Sequence, residues 1–282
     1  MFFFSAPPYT LTVRMKITDL TKLKPKKLVV FDLDGTLALT KAVMDPEMAD
    51  LMKQLLGRMR VAVIGGGKYG LFKEQLLGPL RGAPTALLKN LSLFPTTSTR
   101  FYRYDRGWKK VYAHELPKAD RAKIKKAFYQ VFDEVGYRQP EKIYGRLIED
   151  RGTQVTWSAL GQDVVKTLGK KGVGLKEEWK RKYTPMKLKI AKALAKKLPT
   201  LEVRAAGHTS VDVTKKGIDK AYGMKQIEKY LRAARKDIVF IGDAIFPGGN
   251  DYAIVKTGVD YIPVNGPEET KRAIQFLLQQ AD

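Results

Sequence analysis

Asp32 and Asp34 stand two positions apart in FDLDGT (Phe31–Thr36), directly after the apolar run Leu28–Phe31. At a strand end such side chains point the same way, so one carboxylate can act as a nucleophile while the other moves a proton. A second acidic group follows the apolar run Ile238–Ile241: Gly242-Asp243, then Pro247-Gly248-Gly249-Asn250-Asp251. Its oxygen side chains could complete a site for Mg²⁺, with water and phosphate taking the remaining positions. Lys220, at an expected helix start, could balance the charge of an aspartate and of a transferring phosphoryl group. Each feature alone is ordinary, since Asp-Gly is a common turn and a single lysine is usually solvated. Their order along the chain is what gives them weight.

The elements around them alternate. Short apolar runs at Leu28–Phe31, Val61–Ile64, Ile238–Ile241 and Tyr261–Val264 read as strands buried on both faces. Helical patterns start at Pro46, near Tyr69, at Asp219 (running to Ala234) and at Pro267. Strand–helix alternation predicts an α/β fold, a Rossmann-like core with a mostly parallel sheet. Binding sites in such sheets lie beyond the carboxyl ends of the strands, where all three clusters fall. The middle differs. FYRYDRGWKKVYAHEL reads as strands with a turn at Asp105–Gly107, and two basic helical patterns cover about 118–135 and 185–198, flanking the strand-like LIEDRGTQVTWSAL. These features predict an α+β module inserted in the core. The expected division is a flexible N-terminal arm over 1–24, core over 25–98 and 206–282, and inserted cap over 99–205.

Together the motifs FDLDGT, GIDKAYG (Gly217–Gly223) and GDAIFPGGND (Gly242–Asp251) resemble the haloacid dehalogenase (HAD) superfamily of Mg²⁺-dependent phosphotransferases, with a type IIB cap. VIGGGKYGLFKEQL, IEDRGTQVTWSALGQ, GHTSVDVTKKGIDK and PGGNDYAI are similar to the eukaryotic-type phosphomannomutase family, and nearly the whole chain from Lys27 is covered. The resemblance implies that Asp32 carries the phosphoryl group, that Asp34 is general acid and base, and that Lys220 balances charge. It implies an Mg²⁺ site of Asp32, the Asp34 carbonyl and Asp243, with Asn250 or Asp251 nearby. It places Arg151, Ser210 and Asp212 on the sugar phosphate, and Gly66 and Gly67, with Lys68, around the transferring phosphate. Where the mutases have arginines, this chain has Lys41 and Gln162, and Arg146 lies near a third. Forked arginines suit a distal phosphate better than Lys or Gln. The expected activity is therefore an Mg²⁺-dependent phosphatase acting on a small phosphorylated metabolite, a sugar phosphate. Phosphomannomutase is the alternative.

Composition narrows the classes further. The 282 residues contain no cysteine and two histidines, which excludes disulfides, thiolate metal sites and cysteine nucleophiles, and disfavours His-rich sites. No uncharged apolar stretch is long enough for a membrane span, so a cytoplasmic protein without a membrane partner is expected. The net charge of +23 is uneven: residues 100–204 hold 27 basic and 12 acidic side chains. A polyanion partner follows as a possibility, and FYRYDRGWKKVY could stack bases, but nucleic acid is not the favoured partner. Gly65–Gly70 formally fits a dinucleotide-binding glycine motif, yet no acidic residue lies between Glu74 and Asp105 to receive a ribose. His114 and His208 read as structural, with His208 close to the cleft. No sequence feature indicates an oligomeric state.

Overall fold

The computed structural model describes residues 20–280. The first 19 residues of the expected arm lie outside them. Parallel strands β1 (Leu28–Asp32), β2 (Arg60–Ile64), β3 (Leu91–Phe94), β10 (Ile238–Gly242) and β11 (Asp260–Pro263) build the larger sheet. The antiparallel hairpin β4 (Arg100–Tyr104) and β5 (Trp108–Ala113) closes one edge, giving the order β11-β10-β1-β2-β3-β4-β5. Every residue of β1 is buried, as a strand covered on both faces must be. Val29 and Phe31 face α1 (Pro46–Arg58) and α9 (Pro267–Gln280), whereas Leu28 and Val30 face α8 (Lys220–Leu231). Each such side chain contributes about 1.5–3 kcal/mol by leaving water. The chain is thus an α/β protein with helices on both faces of a mostly parallel sheet.

Local signals fix the helix starts. Asp45 accepts from Met48 N–H at 2.8 Å and Pro46 opens α1; Asp219 accepts from Tyr222 N–H at 2.7 Å and sets the start of α8 at Lys220. Between β3 and β4 the short segment α4 (Pro95–Ser98) carries Thr96, Thr97 and Ser98 at φ of 51°, 53° and 66°. β1 lies between β2, which follows it in the chain, and β10, which the chain reaches only after the insertion and α8. The crevice above β1 and β10 is therefore the switch point of the sheet.

The inserted module has its own antiparallel sheet: β6 (Ile148–Asp150), β7 (Val155–Ser158), β9 (Ser210–Lys215) and β8 (Leu201–Ala206), in that order. Helices α5 (Lys118–Val135) and α7 (Lys170–Lys197) cover one face, enclosing Phe128, Phe132, Trp157, Trp179, Ile190 and Leu194. The short α6 (Val164–Leu168) leads into α7.

Three sequence expectations change. The hairpin β4–β5, placed with the cap, extends the larger sheet, and β9, placed with the core, is an inner strand of the smaller one. By sheet membership the cap runs from α5 to β9, so both edges of the 99–205 division move. Strand periodicity identifies a strand but not the edge it will pair with, and that is why the boundaries shift. Finally, α7 does not start at Pro185; it starts at Lys170 and runs through the proline. Loss of one helical hydrogen bond there is offset by burial of Trp179 before it and Ile190 and Leu194 after it.

Candidate active site

The expected residues meet at the carboxyl ends of β1 and β10. Lys220, buried at the start of α8, donates to Asp32 Oδ1 at 2.6 Å and also to Asp251 Oδ1. Asp251 is held from the other side by the Ala244 N–H, 3.1 Å from its Oδ2. Asp32, Asp243 and Asp251 each offer a carboxylate oxygen, all within 4.8 Å of one another. Gly35, at φ +88°, lies under this cluster, and a Cβ there would come 2.5 Å from Asp243 Oδ2. Only glycine permits both that backbone and that approach.

The charges do not balance. Burial raises the Asp32 pKa well above the usual carboxylate value, and Asp251 and Asp243 raise it further against the pull of Lys220. Burial and the neighbouring Asp251 push Asp243 up to about 6. Lys220 moves the other way: burial alone would lower it, but Asp251 and Asp32 outweigh burial and hold the ammonium charged. An all-oxygen set with surplus negative charge suits a hard cation, so the chemistry of these residues fits a divalent metal ion.

Asp34 is fixed separately. Its Oδ1 accepts from the Lys41 N–H at 2.5 Å and from Gln75 Nε2 at 3.0 Å, and Gln75 also donates to the Ala42 carbonyl at 3.1 Å. Gln75 gave no sequence signal, because its role depends on how the segment after α2 (Tyr69–Phe72) folds back on this loop.

The cap roofs a cavity of about 300 Å³ over these groups, within the size range of small-ligand sites. Asp32, Asp34, Lys41, Gly66, Gly67, Arg151, Ser210, Asp212, Lys220, Asp243 and Asn250 all line it, so eleven expected site residues share one space. Asp251 lies beneath it, fully buried. Gly66 and Gly67 present backbone at the cleft, while Lys68 turns to Glu149 at 2.7 Å. Arg151 is occupied by protein: it donates to Glu149 Oε2 at 2.7 Å, to the Gly66 carbonyl at 2.7 Å and to Gln162 Oε1 at 3.0 Å. Burial would raise the Glu149 pKa, but Arg151 and Lys68 outweigh it and hold the carboxyl below its usual value. Lys41 donates to the Gln162 carbonyl at 2.5 Å, a further contact from core to cap. Asp212 accepts from the Thr156 hydroxyl at 2.8 Å, and burial raises its pKa against the opposing effect of Arg151. Arg146 is exposed and lies outside the lining.

His208 lines the cavity, and burial with nearby lysines pushes it down to about 4, so it is neutral near pH 7. His114 accepts from or donates to the Tyr222 hydroxyl at 2.6 Å, away from the cleft. The sequence reading passed over Lys176, Lys180 and Lys187 of α7, which also line the cavity. A helix broken at Pro185 hides their common face.

Comparison with known proteins agrees with this geometry. The eukaryotic phosphomannomutase family model matches residues 48–280. A probable phosphomannomutase of Caenorhabditis elegans is 27% identical over 266 residues, covering 91% of this chain and 97% of that protein. Two solved structures share the fold. IMP-bound Plasmodium falciparum IMP-nucleotidase has a TM-score of 0.68 at 17% identity, over 94% of this chain and 71% of that one. A haloacid dehalogenase-like hydrolase from Bacteroides thetaiotaomicron has a TM-score of 0.57 at 15% identity, over 89% of this chain and 98% of that one. With a carboxylate cluster at the switch point, a cap above it and a family match through both modules, this chain belongs to the eukaryotic phosphomannomutase family.

Proposed function

We propose that the protein is an Mg²⁺-dependent phosphomannomutase-type phosphotransferase that moves a phosphoryl group between two oxygens of a hexose, with Asp32 as its carrier. The observation that carries this reading is the Asp32 carboxylate, bonded to Lys220 at a strand end and enclosed with Asp34 beneath the cap. Family membership and the phosphomannomutase relative weigh for a mutase over the phosphatase expected from the sequence.

The chemistry follows from the residues. With Asp32 phosphorylated, a hexose hydroxyl attacks phosphorus, its proton passes to Asp34, and the P–O bond to Asp32 breaks, leaving a hexose bisphosphate. After the sugar turns end for end, Asp32 attacks the other phosphoryl group, and the departing sugar oxygen takes the proton back from Asp34. Lys220 opposes the rise in the Asp32 pKa and offsets the charge gathering on the phosphoryl oxygens. The carboxylates of Asp32 and Asp243 and the Asp34 carbonyl would hold Mg²⁺, which supplies electrostatic stabilisation of the transferring group. Gly66 and Gly67 offer backbone to that group, and Ser210 and Asp212 offer polar groups to the sugar phosphate.

Hydrolysis is the second reading, favoured by Lys41 and Gln162 where the mutases carry arginines. One assay separates the two: mannose 1-phosphate with a hexose 1,6-bisphosphate primer and Mg²⁺, reading mannose 6-phosphate and free phosphate together. Isomer formed with little free phosphate is the expected result. Free phosphate without isomer would replace the mutase reading with a phosphatase. Asp32→Asn should remove either activity, by about 10⁴-fold or more, and surviving turnover would exclude Asp32 as carrier.

A further inference from the structure

Thr96, Thr97 and Ser98 of α4 hold the left-handed backbone that favours glycine, and two of the three are β-branched. Among the described residues, only Lys41, Arg106 and Arg232 share that conformation without being glycine. Strain of this kind persists where surrounding contacts over-determine it, and it clusters at ligand clefts. The contacts here are with the glycine loop after β2. The Thr96 N–H donates to the Gly67 carbonyl at 2.8 Å and the Thr97 N–H to the Gly65 carbonyl at 2.9 Å, so α4 is clasped to that loop.

The four hydroxyls at 96–99 have different partners. Thr96 and Thr99 are fully buried and bond to each other at 2.5 Å, and Thr99 donates onward to Thr153 of the cap at 2.7 Å. Ser98 is fully buried against Gly223 of α8. Thr97 is half-buried and is the one of the four that lines the cavity; its hydroxyl makes no hydrogen bond with any described residue. Gly66 and Gly67 line the same space and bring no side-chain donor to it. A phosphorylated sugar resting on that loop has more acceptor oxygens than the backbone there can satisfy. Glycine would occupy position 97 without strain, and the Thr97 hydroxyl has no partner in the protein. Together these two observations point to a ligand as what the side chain serves.

We propose that Thr97 is a ligand-contacting residue, its hydroxyl donating to an oxygen of the bound hexose phosphate where that ligand rests on Gly66 and Gly67. This rests on the phosphotransferase reading and adds a donor on the core side of the cleft.

The test is calorimetric binding of hexose 1,6-bisphosphate, with Mg²⁺, to Asp32→Asn protein, which cannot turn the ligand over. Adding Thr97→Val, which keeps the shape and removes the hydroxyl, should weaken binding at least about tenfold, and Thr97→Gly should do the same. Thr97→Ser, which restores a hydroxyl, should recover most of that loss. Thr97→Gly also relieves the backbone, so its ligand-free melting midpoint should stay level or rise. A merely structural threonine would lower midpoint and affinity together. Full-strength binding by Thr97→Val and Thr97→Gly, binding by Thr97→Ser as weak as by Thr97→Gly, or a fall in midpoint matching the lost affinity would each overturn the contact. Failure of the otherwise unaltered protein to isomerise mannose 1-phosphate would instead overturn the mutase reading. The binding comparison needs no turnover and would still decide the role of Thr97.

Discussion

Asp243 carries a cost that a metal ion can relieve. Its pKa, pushed up to about 6 by burial and Asp251, exceeds the ordinary 3.8, so between those values the folded protein holds more proton than the unfolded chain. Stability of the metal-free protein should fall as pH rises through that window, and the raised Asp32 adds to the effect. Mg²⁺ substitutes for the proton, so millimolar Mg²⁺ should raise the melting midpoint far more at about pH 7.5 than at about pH 5. Equal shifts at both values would show that the cluster does not hold the ion. Lys220→Met should be severe in a different way. It strands Asp32 and Asp251 as buried like charges, and breaking such a pairing costs about 3–5 kcal/mol, readable by urea denaturation, together with loss of turnover. Most of this group was legible in the sequence because its members lie in short motifs at strand ends. Gln75 was not, since only the folded path of a neighbouring segment brings it to Asp34.

Elements depend on close approach as much as on pattern. Helix α8 meets the left-handed segment α4 at Gly223, where a Cβ would overlap the Ser98 hydroxyl and sit 2.9 Å from Ser98 Cβ. Gly223→Ala should therefore cost about 1–3 kcal/mol in chemical denaturation, and combining it with Ser98→Gly should recover much of that loss. The glycine could be read from the sequence only as one residue of a motif, because its partner lies over a hundred positions away. Periodicity was a good guide to β1, β2, β10, α1 and α9, whose apolar positions face a sheet or a helix layer directly. It failed where context decides: β4–β5 joined the core edge, β9 joined the cap, and α7 continued through Pro185 because apolar burial on both sides outweighs one missing bond.

At the scale of the whole molecule, the charge of +23 has two destinations. A few lysines face the cavity, while α7 as a whole carries eleven basic side chains and two acidic ones, most of them exposed to solvent. Exposed charge of this kind attracts anionic ligands over distance and is screened by salt. Raising ionic strength from about 20 to about 200 mM should therefore increase KM for a sugar phosphate several-fold with little change in kcat. A salt-insensitive KM would mean that the exposed lysines play no part in capture. The sequence located this excess in the middle third, but only the folded helix separates lysines facing the cleft from those facing water.

The contacts that hold the cap over the core have a kinetic consequence. Arg151 reaches the Gly66 carbonyl, Gln154 reaches the same oxygen at 3.3 Å, and Lys41 ends on the Gln162 carbonyl. Lys68 with Glu149 is an ion pair, but its lysine is half exposed. Water can replace neutral acceptors and screened pairs at small net cost. From the core, Thr99 donates to the Thr153 hydroxyl at 2.7 Å in a fully buried contact, and from the cap Arg204 pairs with Asp219 at 3.1 Å, so buried bonds fasten the two modules beside the exchangeable ones. An occupant touching both modules would add to these fasteners. Dwell time in the cleft would then lengthen with each contact the cargo makes to both modules.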